Sequence, residues 1–110
     1  MSTKDIGQRG EEIASLYLRG KGFRIVHRNW RTRWCEIDII AKKDATVYFV
    51  EVKYRSNITH GEGFDYITAK KQQQMQFAAE VWTQTTGFEG DACLACIQVD
   101  AQNRVTFVEL

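Results

Sequence analysis

Two apolar segments separated by a short polar turn run from Ile37 to Tyr54, in the sequence IDIIAKKDATVYFVEVKY. Their alternating pattern and their β-branched and aromatic content predict a β-hairpin. Three charged residues, Asp38, Glu51 and Lys53, lie inside these strands among isoleucines and valines. Because a buried charge is expensive unless it is paired, the hairpin must bring these side chains together or hold them at solvent.

The alternation of side chains limits how the two strands can pair. The odd-numbered positions of 37–41 and the even-numbered positions of 48–52 are apolar, so these two sets are expected to share one face. A four-residue loop at 43–46 satisfies this requirement, because it pairs residues whose numbers sum to 89. A slip of one residue would set charges against apolar side chains along the whole hairpin.

This register makes two carboxylates direct cross-strand neighbours. Asp38 faces Glu51, with Cβ atoms roughly 5 Å apart, and Glu36 faces Lys53. Like charges in this arrangement destabilise the fold and burial increases the penalty, so either one acid is protonated or a cation lies between them. Carboxylate oxygens at this spacing suit Mg²⁺ or Mn²⁺. The alternative is a solvated face on which the charges are surface ladder pairs.

Apolar residues at helical and alternating spacings predict the remaining elements. We expect helices at 5–20 and Ile67–Thr85, strands at Phe23–Trp30, Cys35–Ala41, Val47–Tyr54, Cys93–Val99 and Val105–Leu110, a loop at Ser56–Tyr66 and a turn at Gly87–Asp91. The order α-β-β-β-α-β-β over a single domain, residues 1–110, predicts an α/β fold of the α+β type with two helices flanking a mixed sheet. The first three strands are expected to form a central meander, with both helices covering the acidic face or its edges.

The composition indicates a cytoplasmic protein. No apolar run approaches the ~20 residues of a membrane span, and the first residues lack an apolar signal region, so no membrane partner is expected. Three cysteines, Cys35, Cys93 and Cys96, suit a reducing compartment. The CxxC spacing of Cys93 and Cys96 falls in an apolar strand, which indicates core cysteines, with zinc or redox chemistry as the alternative.

The basic residues are concentrated in the first part of the chain. Six Lys/Arg and no acid lie between Ile13 and Cys35. Such a stretch can be a footprint for phosphates, with Arg28, Arg31 and Arg33 as candidate contacts, or it can be a solvated rim.

Lys71 falls on the apolar stripe of the second predicted helix. It is either a snorkelling lysine at the helix end or a phosphate contact. Trp30, Trp34 and Tyr54 could stack on bases, but aromatics at strand spacing are more often core, and we assign them no role.

Several segments together resemble a known family. GQRGEEIASLYLRGKGF, RNWR, EIDIIA, VYFVEVKYR and ITAKKQ occur in the order seen in the YraN-like family of small bacterial proteins, which is similar to archaeal Holliday-junction resolvases. Asp38 followed by Glu51-Val52-Lys53 resembles the D…(D/E)xK core of the PD-(D/E)xK nuclease superfamily. The resemblance covers roughly residues 7–82 and implies a restriction-endonuclease-like core.

The resemblance also implies roles for individual residues. Asp38, Glu51 and Lys53 would be catalytic, while Glu11, Asp38 and Glu51 would hold Mg²⁺ or Mn²⁺, with Glu36 as an additional ligand. Glu11 lies on the stripe of the first helix that contains Ala14 and Leu18, where small residues permit close approach to a sheet. The candidate nucleic-acid contacts are Arg28, Arg31, Arg33, Arg55, Lys71 and Gln72.

The function expected from these residues is metal-dependent endonucleolytic hydrolysis of phosphodiester bonds in DNA, with branched or junction DNA among the candidate substrates. The alternative is a non-catalytic nucleic-acid-binding or scaffold module that retains the nuclease fold. A junction-cutting enzyme needs two active sites, so a homodimer is the expected assembly in the first case.

Overall fold

The computed structural model describes residues 2–55 and 67–110, and the predicted loop Ser56–Tyr66 lies outside the described residues. The predicted order of elements is confirmed. Their bounds are α1 Thr3–Gly20, β1 Arg24–Arg31, β2 Glu36–Lys43, β3 Thr46–Arg55, α2 Ala69–Thr86, β4 Asp91–Asp100 and β5 Val105–Glu109. None of the described helices is both long and apolar enough to cross a membrane.

Local side chains fix the ends of both helices. The Ser2 hydroxyl accepts from the Asp5 N–H while the Asp5 carboxylate accepts from the Ser2 N–H, a capping box that starts α1 earlier than the apolar periodicity indicated. Thr68 caps α2 in a similar way, accepting from the Lys71 N–H. Gly87 ends α2 in the left-handed conformation, with φ 73°.

The five strands form one mixed sheet in the order β1-β2-β3-β4-β5, in which β3 and β4 are parallel and all other neighbours are antiparallel. The first three strands form the predicted meander, but its predicted central position is wrong, since β1 is an edge strand and β3 holds the centre. A parallel pair cannot be joined by a tight turn and needs a crossover, and α2 lies in the connection between β3 and β4.

The two helices lie on opposite faces of this sheet, so the prediction that both would cover the acidic face or its edges does not hold for the face. Ala14 and Leu18 of α1 are buried on one face, and Ala78, Ala79 and Trp82 of α2 are buried on the other. A sheet that is apolar on both faces needs a helix on each. The sheet residues beneath α1 are Ile39, Ala41, Val50, Ala95, Ile97 and Val99, and those beneath α2 are Ile37, Ile40, Val47 and Phe49.

The register of the β2–β3 hairpin follows the predicted pairing. Five pairs from Ile39–Val50 to Lys43–Thr46 have residue numbers that sum to 89. The turn contains two residues and not four, because Lys43 pairs with Thr46, and Asp44 has a φ of 55° that aspartate tolerates in such turns.

Strict alternation fails at one end of β2. Ile37 was predicted to share a face with Ile39, but it packs in the cluster beneath α2, whereas Ile39 packs beneath α1. The break falls at Asp38, where the pairing with β3 ends.

Candidate functional site

The strands β2 and β3 stop pairing next to Asp38, and its side chain takes the place of the missing ladder bond. The last pair on this side is Ile39–Val50. Beyond it, the Val52 N–H donates to Asp38 Oδ2 at 2.8 Å. The carboxylate is thus fixed by a backbone hydrogen bond at the point where the sheet opens.

Glu36 does not face Lys53 as the register had predicted. Because the β2–β3 ladder ends before reaching it, Glu36 pairs instead with Arg31 on β1, and the ion-pair distance from Arg31 Nη2 to Glu36 Oε2 is 3.6 Å. Both side chains are largely exposed. The structure therefore places Glu36 in a surface pair with β1, outside the β2–β3 ladder.

The electrostatic surroundings of Asp38 disfavour its charge. Burial is the largest effect and the nearby charge of Glu51 the second, and together with Glu11 they raise the pKa of Asp38 from 3.8 to about 7. The Val52 N–H and the Lys71 ammonium act in the opposite direction but are outweighed. Since Glu11 belongs to α1 and Lys71 to α2, Asp38 responds to charges from both faces of the sheet.

Glu51 carries two lysine partners. Lys53 Nζ lies 3.4 Å from Glu51 Oε2, and Lys71 Nζ lies 3.4 Å from Oε1. Only 12% of the Glu51 side chain is exposed. The predicted Asp38–Glu51 ladder pair lies beyond the last observed pair, Ile39–Val50, although the charge of Glu51 does act on Asp38. Lys71 is an ion-pair partner of Glu51 from α2.

Two residues of β4 lie next to this group and were not predicted from the sequence to be near it. In the parallel β3–β4 ladder, Cys96 lies beside Glu51 and Gln98 beside Lys53. Burial and the charge of Glu51 raise the pKa of Cys96 to about 12, so the thiol stays neutral. Gln98 is buried, and its Oε1 has no hydrogen-bond partner among the residues that the structure describes. The signal for Gln98 in the sequence was a single amide side chain within an apolar segment.

The donor set suits a hard divalent cation, although no ready-made ligand cluster is present. Asp38, Glu51 and the half-buried Glu11 offer only carboxylate oxygens, which are the ligands that Mg²⁺ and Mn²⁺ prefer. The raised pKa of Asp38 reflects its burial first and the charge of Glu51 second, and a bound cation would favour the charged forms of both carboxylates. Within residues 2–55 and 67–110, no three His, Cys, Asp or Glu side chains already form a group that could hold a metal ion.

Two of the predicted basic contacts have partners of their own in the structure. Arg28 forms an ion pair with Glu12 of α1, with 2.7 Å between Nη1 and Oε1. Glu12 is therefore paired with an arginine, whereas the adjacent Glu11 acts on the charge of Asp38. Arg33 lies over the ring of Trp34, with 5.3 Å to the ring centroid.

Two further predicted contacts lie at the ends of β3 and α2. Arg55 is half-buried at the end of β3, next to Asp100 in the ladder, and its charge lowers the pKa of Cys96. Gln72 is exposed in the first turn of α2.

The CxxC spacing has no matching chemistry in the described part of the chain. Cys96 is buried, and Cys93 Sγ lies 3.4 Å from both the Leu94 carbonyl and Glu109 Oε1. Burial and the hydrogen bond to Glu109 raise the pKa of Cys93 to about 11. Neither thiol is set up as a thiolate ligand or nucleophile, as the interpretation as core cysteines requires.

The fold has a counterpart among solved structures. It is similar to the 1.6 Å resolution structure of Archaeoglobus fulgidus Hjc, described as a Holliday junction resolvase from an archaeal hyperthermophile. The TM-score is 0.61 at 20% sequence identity, and the match covers 92% of this chain and 73% of that chain. The five-stranded mixed sheet with flanking helices therefore matches the Hjc resolvase fold, as the sequence resemblance implied.

Sequence relatives are closer. A UPF0102 protein of Chlorobium phaeobacteroides is 43% identical over 88 residues, covering 80% of this chain and 69% of that relative. A UPF0102 protein of Clavibacter michiganensis is 40% identical over 81 residues, covering 74% of this chain and 69% of that relative. Residues 10–109 match the family described as "Uncharacterised protein family UPF0102". The chain belongs to the UPF0102 family.

Proposed function

We propose that this protein is a divalent-metal-dependent endonuclease that hydrolyses phosphodiester bonds in DNA. The observation that carries the proposal is the opening of the sheet at Asp38, where the charge of Glu51 helps to raise the pKa of this buried acid to about 7 and the Glu51 carboxylate lies 3.4 Å from the Lys53 ammonium. Two neighbouring carboxylates whose charges destabilise the fold, with a lysine beside one of them, are typical of sites that bind a cation and an anionic substrate.

Each residue of the group has a distinct proposed task. Glu11, Asp38 and Glu51 would hold Mg²⁺ or Mn²⁺, which when bound supplies a polarised water and positive charge beside the phosphate. Lys53, which lies 3.4 Å from Glu51 and is about one-third exposed, would stabilise the charge that develops on the phosphate oxygens. The Val52 N–H holds Asp38 in place through its hydrogen bond and thereby keeps the acid oriented.

Phosphates outside the reacting one would be held by surrounding basic groups. Arg31, Arg33 and Lys71 are the proposed contacts on the side of α2, together with Gln72, and Arg55 is proposed at the end of β3. Arg28 would act on the side of α1, where its pair with Glu12 holds its guanidinium. Glu36 would serve as an outer ligand only if its surface pair with Arg31 opened.

Branched or junction DNA is the substrate that the likeness to Hjc favours, because that protein is described as a Holliday junction resolvase. A four-way junction presents two strands for cutting, so a symmetric homodimer with two such sites would match its symmetry. The second candidate is a nucleic-acid-binding module that retains this fold without turnover.

A cleavage screen on linear, nicked, flapped and four-way DNA with Mn²⁺ tests the proposal. We expect wild type to cut at least one substrate and Asp38→Asn to cut it about 10²-fold more slowly or worse. Asp44→Asn is the matched control, since it removes an exposed carboxylate from the turn at the opposite end of the same hairpin. Binding without cutting by wild type would favour the second candidate.

Melting temperatures separate metal binding from catalysis. Mn²⁺ should raise the melting temperature of wild type, Asp44→Asn and Lys53→Ala, whereas Lys53→Ala should lose turnover because its task lies in the transition state. Full stabilisation of Asp38→Asn by Mn²⁺ would contradict the metal site and with it the nuclease assignment.

A further inference from the structure

A groove lies beside the acidic group, between the β1–β2 turn and α2. Its volume is about 660 Å³, within the ~300–1,000 Å³ typical of ligand clefts. Lys71 belongs to both sites, because it lines the groove and its ammonium lies 3.4 Å from Glu51 Oε1. A strand bound in the groove would therefore continue directly into the proposed active site.

One wall of the groove is a tight turn that presents a tryptophan to solvent. The Thr32 N–H donates to the Cys35 carbonyl at 2.8 Å, and Thr32 Oγ1 accepts from the N–H groups of Trp34 and Cys35. These bonds hold Arg33 and Trp34 at the tip. The Trp34 side chain is nevertheless 73% exposed, so its ring is accessible to a ligand in the groove.

The opposite wall is an outward stripe of α2. Lys70, Gln73, Gln74 and Phe77 recur at helical spacing and line the groove, next to the buried Met75. Phe77 is 48% exposed. The groove thus has an exposed aromatic ring on each wall.

The charges around these rings are those of a phosphate-binding surface. Arg31, Lys70 and Lys71 line the groove against a single acid, Glu36, which is already paired with Arg31. Arg33 lies over the Trp34 ring, 5.3 Å from its centroid, and the side chain of Trp34 is still largely exposed to a planar partner. Aromatic platforms with a positive border are the arrangement that binds single-stranded nucleic acid by stacking its bases.

We infer that this groove binds the unpaired strand of a DNA substrate, with a base stacked on Trp34 and a second aromatic contact from Phe77. The inference rests on the proposed function and specifies its substrate: DNA that carries unpaired nucleotides next to the scissile bond. Paired bases are stacked on each other and cannot offer a face to Trp34, so a blunt duplex would engage only the basic side chains.

The test is the affinity for a fluorescein-labelled oligodeoxythymidine and for a blunt duplex of equal length, measured by fluorescence anisotropy in EDTA. Trp34→Ala should weaken single-strand binding about tenfold and duplex binding much less. Trp34→Tyr keeps an aromatic ring and should restore most of the loss, which also shows that the turn still folds. Phe77→Ala should weaken single-strand binding in the same direction.

Leu16→Ala is the matched control, because Leu16 is an exposed apolar residue of α1, on the other face of the sheet. It should leave both affinities unchanged. Unchanged single-strand affinity in Trp34→Ala, or equal losses for single strand and duplex, would overturn the inference.

The two proposals fail in different ways. Cleavage by wild type together with Trp34-independent binding removes the groove and leaves the nuclease. Trp34-dependent single-strand binding without cleavage of any substrate supports the groove and removes the nuclease.

Discussion

Asp38 and Asp100 are two carboxylates of the same sheet with opposite surroundings. Asp38, at the opening between β2 and β3, accepts one backbone hydrogen bond and lies near two other acids. Asp100, at the end of β4, accepts from the N–H groups of Gln102 and Arg104 and from Arg104 Nε, at 2.7–2.9 Å. Burial by itself raises the pKa of Asp100, but these hydrogen bonds outweigh it and the pKa lies below its ordinary value.

The charge of Asp100 stabilises the folded state, whereas the charge of Asp38 destabilises it. Asp100 closes the β4–β5 turn, in which Asn103 has a φ of 64°, and its charge is fully used by neighbouring donors. The charge of Asp38 is opposed by burial and by Glu51, and a single N–H with the Lys71 ammonium does not offset them. Such unrelieved charge is expected where a cation or substrate completes the site.

The largest expected effect comes from replacing each of these two aspartates by asparagine, since the two substitutions should shift the melting temperature in opposite directions. In EDTA at neutral pH, Asp38→Asn should raise the melting temperature by on the order of 5 °C, because the amide still accepts from Val52 and the repulsion is gone. Asp100→Asn should lower it by a similar amount, since an amide cannot replace a charged acceptor of three donors. Calorimetry of both variants against wild type measures the two shifts, and shifts of the same sign would refute the distinction.

The pH dependence of these shifts sharpens the comparison. Asp38 ionises near pH 3.8 when unfolded and near pH 7 when folded, so the folded state binds more protons in between. The contribution of Asp38 to stability therefore falls as pH rises through that window. The advantage of metal-free Asp38→Asn over wild type should grow from pH 3.8 to about 7 and then level off.

Asp100→Asn provides the reverse case. The pKa of Asp100 is lowered on folding, so its contribution is present at neutral pH and is lost as pH falls. The deficit of this variant should shrink in acid. Thermal melts over the same pH series check both slopes, and a pH-independent advantage of Asp38→Asn would show that Asp38 is not strained by its charge.

The smallest expected effect distinguishes two adjacent lysines. Lys71 lies 3.4 Å from Glu51 and lowers the pKa of Asp38, whereas Lys70 is exposed. Lys71→Met should raise the pKa of Asp38 further, and Lys70→Met should leave it unchanged. If each lysine contacts one phosphate, each substitution should reduce the slope of log binding constant against log salt concentration by ~0.9. Each should change the free energy of unfolding by about 1 kcal/mol or less. A carboxyl-carbon NMR titration and a salt titration give both readouts, and equal effects of the two variants on Asp38 would contradict the placement of Lys71.

The sequence by itself determined the order of the elements and the register of the β2–β3 hairpin. These follow from local rules, because side-chain alternation permits few registers and a one-residue slip would expose the core. The choice of Glu11 on α1 came from the family resemblance and not from periodicity. Ala14 and Leu18, on the same stripe of that helix, are buried, whereas Leu16 is 56% exposed.

Only the tertiary structure decided how far each strand pairing extends and which helix covers which face of the sheet. The register predicted Glu36 opposite Lys53, but the ladder ends first because the Asp38 carboxylate takes the Val52 N–H. The position of β3 at the centre depends on its parallel pairing with β4, which no local pattern encodes. The groove around Trp34 joins the β1–β2 turn to a helix that lies far along the chain, and such contacts arise from packing, which alternation and spacing do not specify.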